Sequence, residues 1–285
     1  MSGSLQTLRR RTRTLLVLGI VVLMTQPAAS VAQERRVEPP VKFLKTPTSG
    51  EPMSMLAEAN LKAKRPKAPV NFMGTWLMQR TATNGPPPDW EFHPMPKLTA
   101  EGQRIYNEKL QADKDGVAYK DDAGACYPPG MPRFLTRVWP IQVIQLPTAI
   151  VMIQGFENQV RWIYLDGRKH PDPDVTIPSF NGDSIGHWEG STLVVETQNL
   201  EPGHHWIQSG VPVGEALRIV ERWTLTEGGK VLEIQLKMTD PQYWAGDWIS
   251  TKRYNIRDDR DIFEVHCIAA EMAKLPSAKP SANRK

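Results

Sequence analysis

From Arg137 to Cys267 the chain reads as one short β-strand after another, joined by brief turns with no helix between them. No other feature restricts the fold as much. Ala149–Gln154 and Val160–Leu165 are apolar, β-branched and aromatic, and Glu157-Asn158 lies where a turn must join them. Ile185–Trp188 and Thr192–Thr197 flank Glu189-Gly190, a tight hairpin signal. Leu217–Leu225 and Val231–Met238 flank Glu227-Gly228-Gly229. In the latter strand Leu232, Ile234, Leu236 and Met238 alternate with Val231, Glu233, Gln235 and Lys237, the period of two of a half-buried strand. Trp248–Tyr254 and Ile262–Cys267 extend the series, and Val70–Thr81 supplies an earlier strand. Such a succession predicts an antiparallel sheet that closes or sandwiches. Strand–helix–strand alternation, G-x-G-x-x-G and phosphate loops are all missing, so a parallel nucleotide-binding sheet is not expected. The best helix is Leu98–Ala112, with Thr99 as its cap, Glu101 in its first turn, and Tyr106 and Leu110 on one face.

Ahead of the strands, Arg9, Arg10, Arg11 and Arg13 precede the apolar run Leu15–Met24, and Ser30-x-Ala32 follows. This is the pattern of a secretory signal peptide, 1–32, and predicts a periplasmic or secreted protein. The apolar run is too short to span a bilayer, which takes about 20 residues, so no transmembrane span is expected after cleavage. Residues 33–69 read as an extended Pro/Lys-rich leader with a short helix near Ser54–Lys64; residues 274–285 read as a basic disordered tail. The formal charge is +4, but residues 1–32, 33–69 and 274–285 each carry +4, which leaves −8 on the body, 70–273. A mildly acidic body argues against nucleic acid as a partner.

Cys126 and Cys267 are the chain's two cysteines. In an oxidising compartment an isolated pair forms a disulfide; two buried free thiols are the alternative.

Gly182-Asp183-Ser184-Ile185-Gly186 matches the nucleophile-elbow pattern G-x-S-x-G, but a strand follows where the elbow needs a helix. The glycines are therefore expected to shape a bend at a strand start. Six histidines are present: His93, His170, His187, His204, His205 and His266. None falls in a metal-binding spacing, and the adjacent His204 and His205 cannot both reach one ion from a strand, so no metal is expected. His266 reads as a packed sheet residue. His170 and His187 each sit among carboxylates, where a neutral imidazole can take or give a proton near pH 7. Glu221 and Arg222 are neighbours on a strand, so one of them points inward and must be paired or serve a ligand.

The ordered set Cys126–Arg133 (CYPPGMPR), Asp166–Pro171 (DGRKHP), Gly182–Gly190 (GDSIGHWEG) leading into Thr192–Thr197 (TLVVET), and Glu221-Arg222 resembles a widespread family of exported bacterial proteins. The similarity covers roughly residues 70–270. That family has no established activity, so the resemblance implies a fold more than a function: a mainly β, calycin- or lipocalin-like barrel, with one or two short helices. One departure is that Val213-Gly214 precedes Glu215 where members often carry His-Ser.

Together these features predict a cofactor-independent acid–base enzyme, a lyase, isomerase or hydrolase, acting on a small aromatic or hydrophobic compound. His187 is the expected general base or acid, with Asp183 or Glu189 orienting it and His170 as the second candidate imidazole. Arg133, Arg161, Arg168, Trp162 and Trp188 are the expected substrate-binding residues. The tryptophans are expected to wall a hollow whose mouth presents imidazole and guanidinium groups. The alternative is a non-catalytic carrier of small hydrophobic ligands, and a third is an envelope structural protein with a filled barrel.

Overall fold

In a computed structural model, residues 43–80, 90–116, 119 and 122–272 are described. The expected signal peptide, the start of the leader and the basic tail lie outside them. Eleven strands follow in order: β1 (Gly74–Met78), β2 (Ile141–Gln145), β3 (Ala149–Gln154), β4 (Gln159–Tyr164), β5 (Asp183–Glu189), β6 (Thr192–Gln198), β7 (Trp206–Gln208), β8 (Val211–Pro212), β9 (Arg218–Thr226), β10 (Val231–Thr239) and β11 (Trp248–Ile256). Nine of them close into a barrel in the order β1-β11-β10-β9-β6-β5-β4-β3-β2, and β7-β8 form a separate small sheet. The expected lipocalin-like barrel is thus present. A ring with an odd number of strands cannot alternate direction all the way round. One parallel pair is therefore obligatory, and it is β4–β5, with Ile163 opposite Ser184. Every other neighbouring pair in the barrel is antiparallel, as expected. Residues 165–182 make the required crossover between β4 and β5.

Register assigns the faces. Ile219, Glu221 and Trp223 lie opposite Met238, Leu236 and Ile234 on one side, and opposite Thr197, Val195 and Leu193 on the other. All nine of these are buried and face inward. Arg222, Val194 and His187 form a lateral row on the outer face. Of the Glu221-Arg222 neighbours it is the glutamate that points in.

The interior is packed with side chains rather than hollow. Trp76, Trp223, Trp244 and Trp248 are at most 2 % exposed and join Tyr254, Phe134, Met131 and the inward aliphatic residues in one core cluster. Phe72 plugs one end, stacked on Trp188 at 5.7 Å and meeting Trp223 edge-on. Met131, Phe134 and Leu135 close the other end, where Gln154 Nε2 donates to the Phe134 carbonyl at 3.2 Å. The expected Trp-walled hollow is corrected: nine strands enclose a space that four indoles and a buried ion pair fill.

Three helices are present among the described residues, one more than expected: α1 (Glu58–Lys62), α2 (Ala100–Lys114) and α3 (Ala269–Met272). Thr99 caps α2 by accepting from the Gly102 N–H at 3.1 Å. α2 docks through Gly102, where a Cβ would lie 2.2 Å from the Tyr243 carbonyl oxygen. Of the two residues expected on one face of this helix, Tyr106 packs against the core while Leu110 is 38 % exposed. Glu157-Asn158 forms the β3–β4 turn with both residues at positive φ, as the sequence indicates. Gly182, at φ 64, makes the bend before β5. Ile262–Cys267 is not a strand. Once β1 pairs β11 the barrel has no free edge, and Val265 makes only a single bridge to Phe156. His266 is exposed there rather than packed in a sheet. Cys126 and Cys267 are joined in a disulfide. No helix of the described residues is long and apolar enough to cross a membrane.

Candidate ligand site at one barrel end

β4 and β5 are parallel and β2–β3 is a hairpin, so the ends Tyr164, Glu189, Gln145 and Ala149 meet at one rim of the barrel. The leader crosses this rim. Its anchor is Asp166, which is 1 % exposed. Asn60 Nδ2 donates to Asp166 Oδ2 at 3.3 Å, and Arg168 donates through Nε and Nη2 at 2.9 and 2.7 Å. Arg168 also donates to the Met53 carbonyl and lies 3.9 Å from the Tyr164 ring centre. Arg65 binds Asn60 in turn, and burial lowers its pKa against the raising effect of Asp166. The Asp-Gly-Arg segment thus ties the leader down.

Between leader and rim lies a cavity of about 820 Å³. Leu61 and Ala63 roof it; Val70, Met73, Leu146, Pro147, Leu165 and Trp188 make its apolar walls, and His187 is the imidazole among them. Gln145 fixes the Phe72 plug beside it, accepting from the Phe72 N–H at 2.9 Å and donating to the Val70 carbonyl at 2.8 Å. His187 Nε2 lies 3.4 Å from Glu189 Oε1, and Arg222 Nη1 donates to Glu189 Oε2 at 2.8 Å. Burial pushes the Glu189 carboxyl up, but its bonds to Arg222 and His187 together prevail and hold it below the usual range. A charged carboxylate at the end of this row orients the imidazole.

The other sequence-predicted residues are not gathered here. Asp183, a candidate orienter for His187, pairs instead with His170 Nδ1. Arg168 is engaged by Asp166 rather than set in the cavity. Arg161 points into the barrel and pairs with Glu221, because β4 alternates and odd positions face inward. Trp162 therefore faces out, onto a separate groove. Arg133 lies at the opposite end of the barrel, in the 3-10 turn Arg133–Thr136, and lines a cleft with Trp90 and Trp139. Ser184 bonds Arg161 and Thr197 inside the barrel and is not an exposed nucleophile. His187 and Trp188 alone among the predicted set line the cavity. Leu61, Val70, Met73, Leu146, Pro147 and Leu165 carry no chemical signature in the sequence and come together only through the rim.

His204 and His205 precede β7 in a turn, not on a strand as expected, and diverge there: His204 stacks on Tyr127 at 4.2 Å while His205 is buried. Burial lowers the His205 pKa to about 4, with Arg133 adding to the effect and the Glu201 carbonyl opposing it. The folded protein therefore resists protonating a group that the unfolded chain protonates near 6.5. Stability from this source is complete above pH 6.5 and is lost as pH falls toward 4. At pH 4.5 the loss is about 2–3 kcal/mol. Urea unfolding at pH 7.5 and 4.5 should show a larger fall for the parent than for His205→Gln; equal falls would contradict the assignment.

The fold and the cavity together define a closed, lipocalin-like barrel with a small-molecule-sized site at its rim. No protein-family model and no curated protein matches the chain.

Proposed function

We propose that this is an exported protein that binds a small, mainly apolar molecule in the cavity between leader and barrel rim. The observation that carries the reading is the 820 Å³ cavity itself, apolar on most sides, with Arg65, Lys67, Asn71, Gln145 and the imidazole of His187 as its polar lining. Its size falls within the roughly 300–1,000 Å³ of small-molecule sites. The Cys126–Cys267 disulfide fits an oxidising compartment. A second reading, acid–base turnover of the bound molecule, is favoured by the row His187–Glu189–Arg222. There His187 exchanges the proton and Glu189 positions it.

Titration with N-phenyl-1-naphthylamine, a neutral apolar fluorophore, tests the site. Its emission should rise on binding, and Met73→Trp and Leu146→Trp should each weaken binding at least about tenfold by filling the cavity. Dye binding unchanged in both variants would exclude the cavity. Turnover adds one readout: solvent deuterium should enter bound carbonyl compounds at the adjacent carbon and cease to do so in His187→Ala. Exchange that persists in that variant would remove His187 from the acid–base role, and no exchange in the parent leaves binding alone.

A further inference from the structure

A second built surface lies on the outer wall, away from the rim cavity. Trp162 is outward-facing on β4 and 39 % exposed, whereas four other tryptophans are at most 2 % exposed. Its ring makes no aromatic or cation–π contact among the described residues. It borders a groove of about 380 Å³ that also meets Tyr164, Phe180, Asn158, Asn181 and Asp183. Asn181 Nδ2 donates to the Val160 carbonyl at 3.1 Å, but its Oδ1 is shielded from water and has no partner. Asp183 is fixed by His170 Nδ1. The turn residues Glu157 and Asn158 that form one edge both hold left-handed φ, 57° and 48°, where glycine would be unstrained.

The chemistry of this lining selects a ligand class. It contains two carboxylates, Glu157 and Asp183, and no Lys, Arg or His, so an anion is disfavoured. Amide and carboxylate acceptors beside a bare indole face call for a molecule with an apolar ring face and a rim of hydroxyl donors. We propose that this groove binds a neutral sugar chain, one ring stacking on Trp162 and its hydroxyls donating to the Asp183 carboxylate.

The test is titration of the full chain with cellotetraose, xylotetraose, maltotetraose and chitotriose, read by tryptophan fluorescence and saturation-transfer NMR. At least one sugar should bind. Trp162→Ala should weaken it by about tenfold or more, Trp162→Phe less, and Asp183→Ala several-fold. Far-UV circular dichroism should show all three variants folded. Met73→Trp, which blocks the rim cavity, should leave sugar binding unchanged and so separates the two sites. The proposal is overturned if none of the four sugars binds, if Trp162→Ala binds as the parent does, or if tetramethylammonium binds in place of the sugars.

Discussion

Arg161→Met should lower the stability of the barrel by about 3–5 kcal/mol, because it leaves a buried carboxylate without its cation. Glu221 is 0 % exposed. It accepts from Arg161 Nη1 at 3.1 Å and from the Trp223 indole N–H at 3.0 Å, and Arg161 Nη2 lies against its second oxygen. Arg161 Nη2 also donates to Thr197 at 2.9 Å and to Ser184 at 3.1 Å. Every strong partner of each charge is another member of this cluster, so removing one charge strands the other in a medium where it cannot be hydrated. The expectation for the pair is different. Arg161→Met combined with Glu221→Leu removes both charges and fills similar volume, and it should cost less than either single change. Urea unfolding at pH 7 distinguishes the cases, with the double variant more stable than Arg161→Met. A single variant as stable as the parent would mean that the charges are hydrated, and that the interior is wetter than its packing indicates. Tyr254 sits in the same interior; burial first, and then the Glu221 charge, raise its hydroxyl pKa well above the ordinary value.

This cluster also shows how far local pattern reaches. The period of two in Val231–Met238 and the neighbours Glu221 and Arg222 were enough to require one inward charge, and Glu221 is that charge. Its partner was not legible. Arg161 and Glu221 are separated by 60 residues, and only the closure order β9-β6-β5-β4 brings them together. The parallel β4–β5 pair was hidden for the same reason: strand count and parity are properties of the closed ring, whereas turn signals report one junction at a time. β7 and β8, three and two residues long, are too short to display any period. At the site, His187 stood out because titratable groups are recognisable by type. Sequence proximity offers it both Glu189 and Asp183 as carboxylate neighbours, and the pleat separates them: Glu189 lies two residues along the same face and reaches it, while Asp183 meets His170. The walls were invisible. Val70, Met73 and Leu165 look like any core residue until the leader is seen lying over the rim. The leader's Pro/Lys-rich composition suggested a surface strand of chain, and its role as a roof rests on Asn60, Arg65 and Asp166, which meet only in the folded protein.

Replacing both cysteines, Cys126→Ser with Cys267→Ser, should have the other large effect. The disulfide spans 141 residues, and closing a loop of that length removes about 5 kcal/mol of unfolded-chain entropy in the chain-entropy treatment. The full amount reaches the barrel only if the segment after β11 stays docked when the bond is gone. Among its described residues, the Arg257 N–H donates to the Thr75 carbonyl at 2.8 Å. Val265 exchanges backbone hydrogen bonds with Gly155 and Glu157 at 3.0 and 3.1 Å, and Phe263 meets Trp139 edge-on at 5.6 Å. Phe263 is nevertheless 60 % exposed. Part of the loss should therefore appear as local release of residues 257–267 and the remainder as global destabilisation of about 2–4 kcal/mol. Two measurements separate them. Urea unfolding reports the global part, and trypsin under native conditions reports the local one by cutting after Arg257 and Arg260 faster than anywhere in the barrel strands. An unchanged urea midpoint with rapid cutting would place the whole effect in the C-terminal segment. Unchanged values in both assays would show that the crosslink joins elements already held in place by their own contacts.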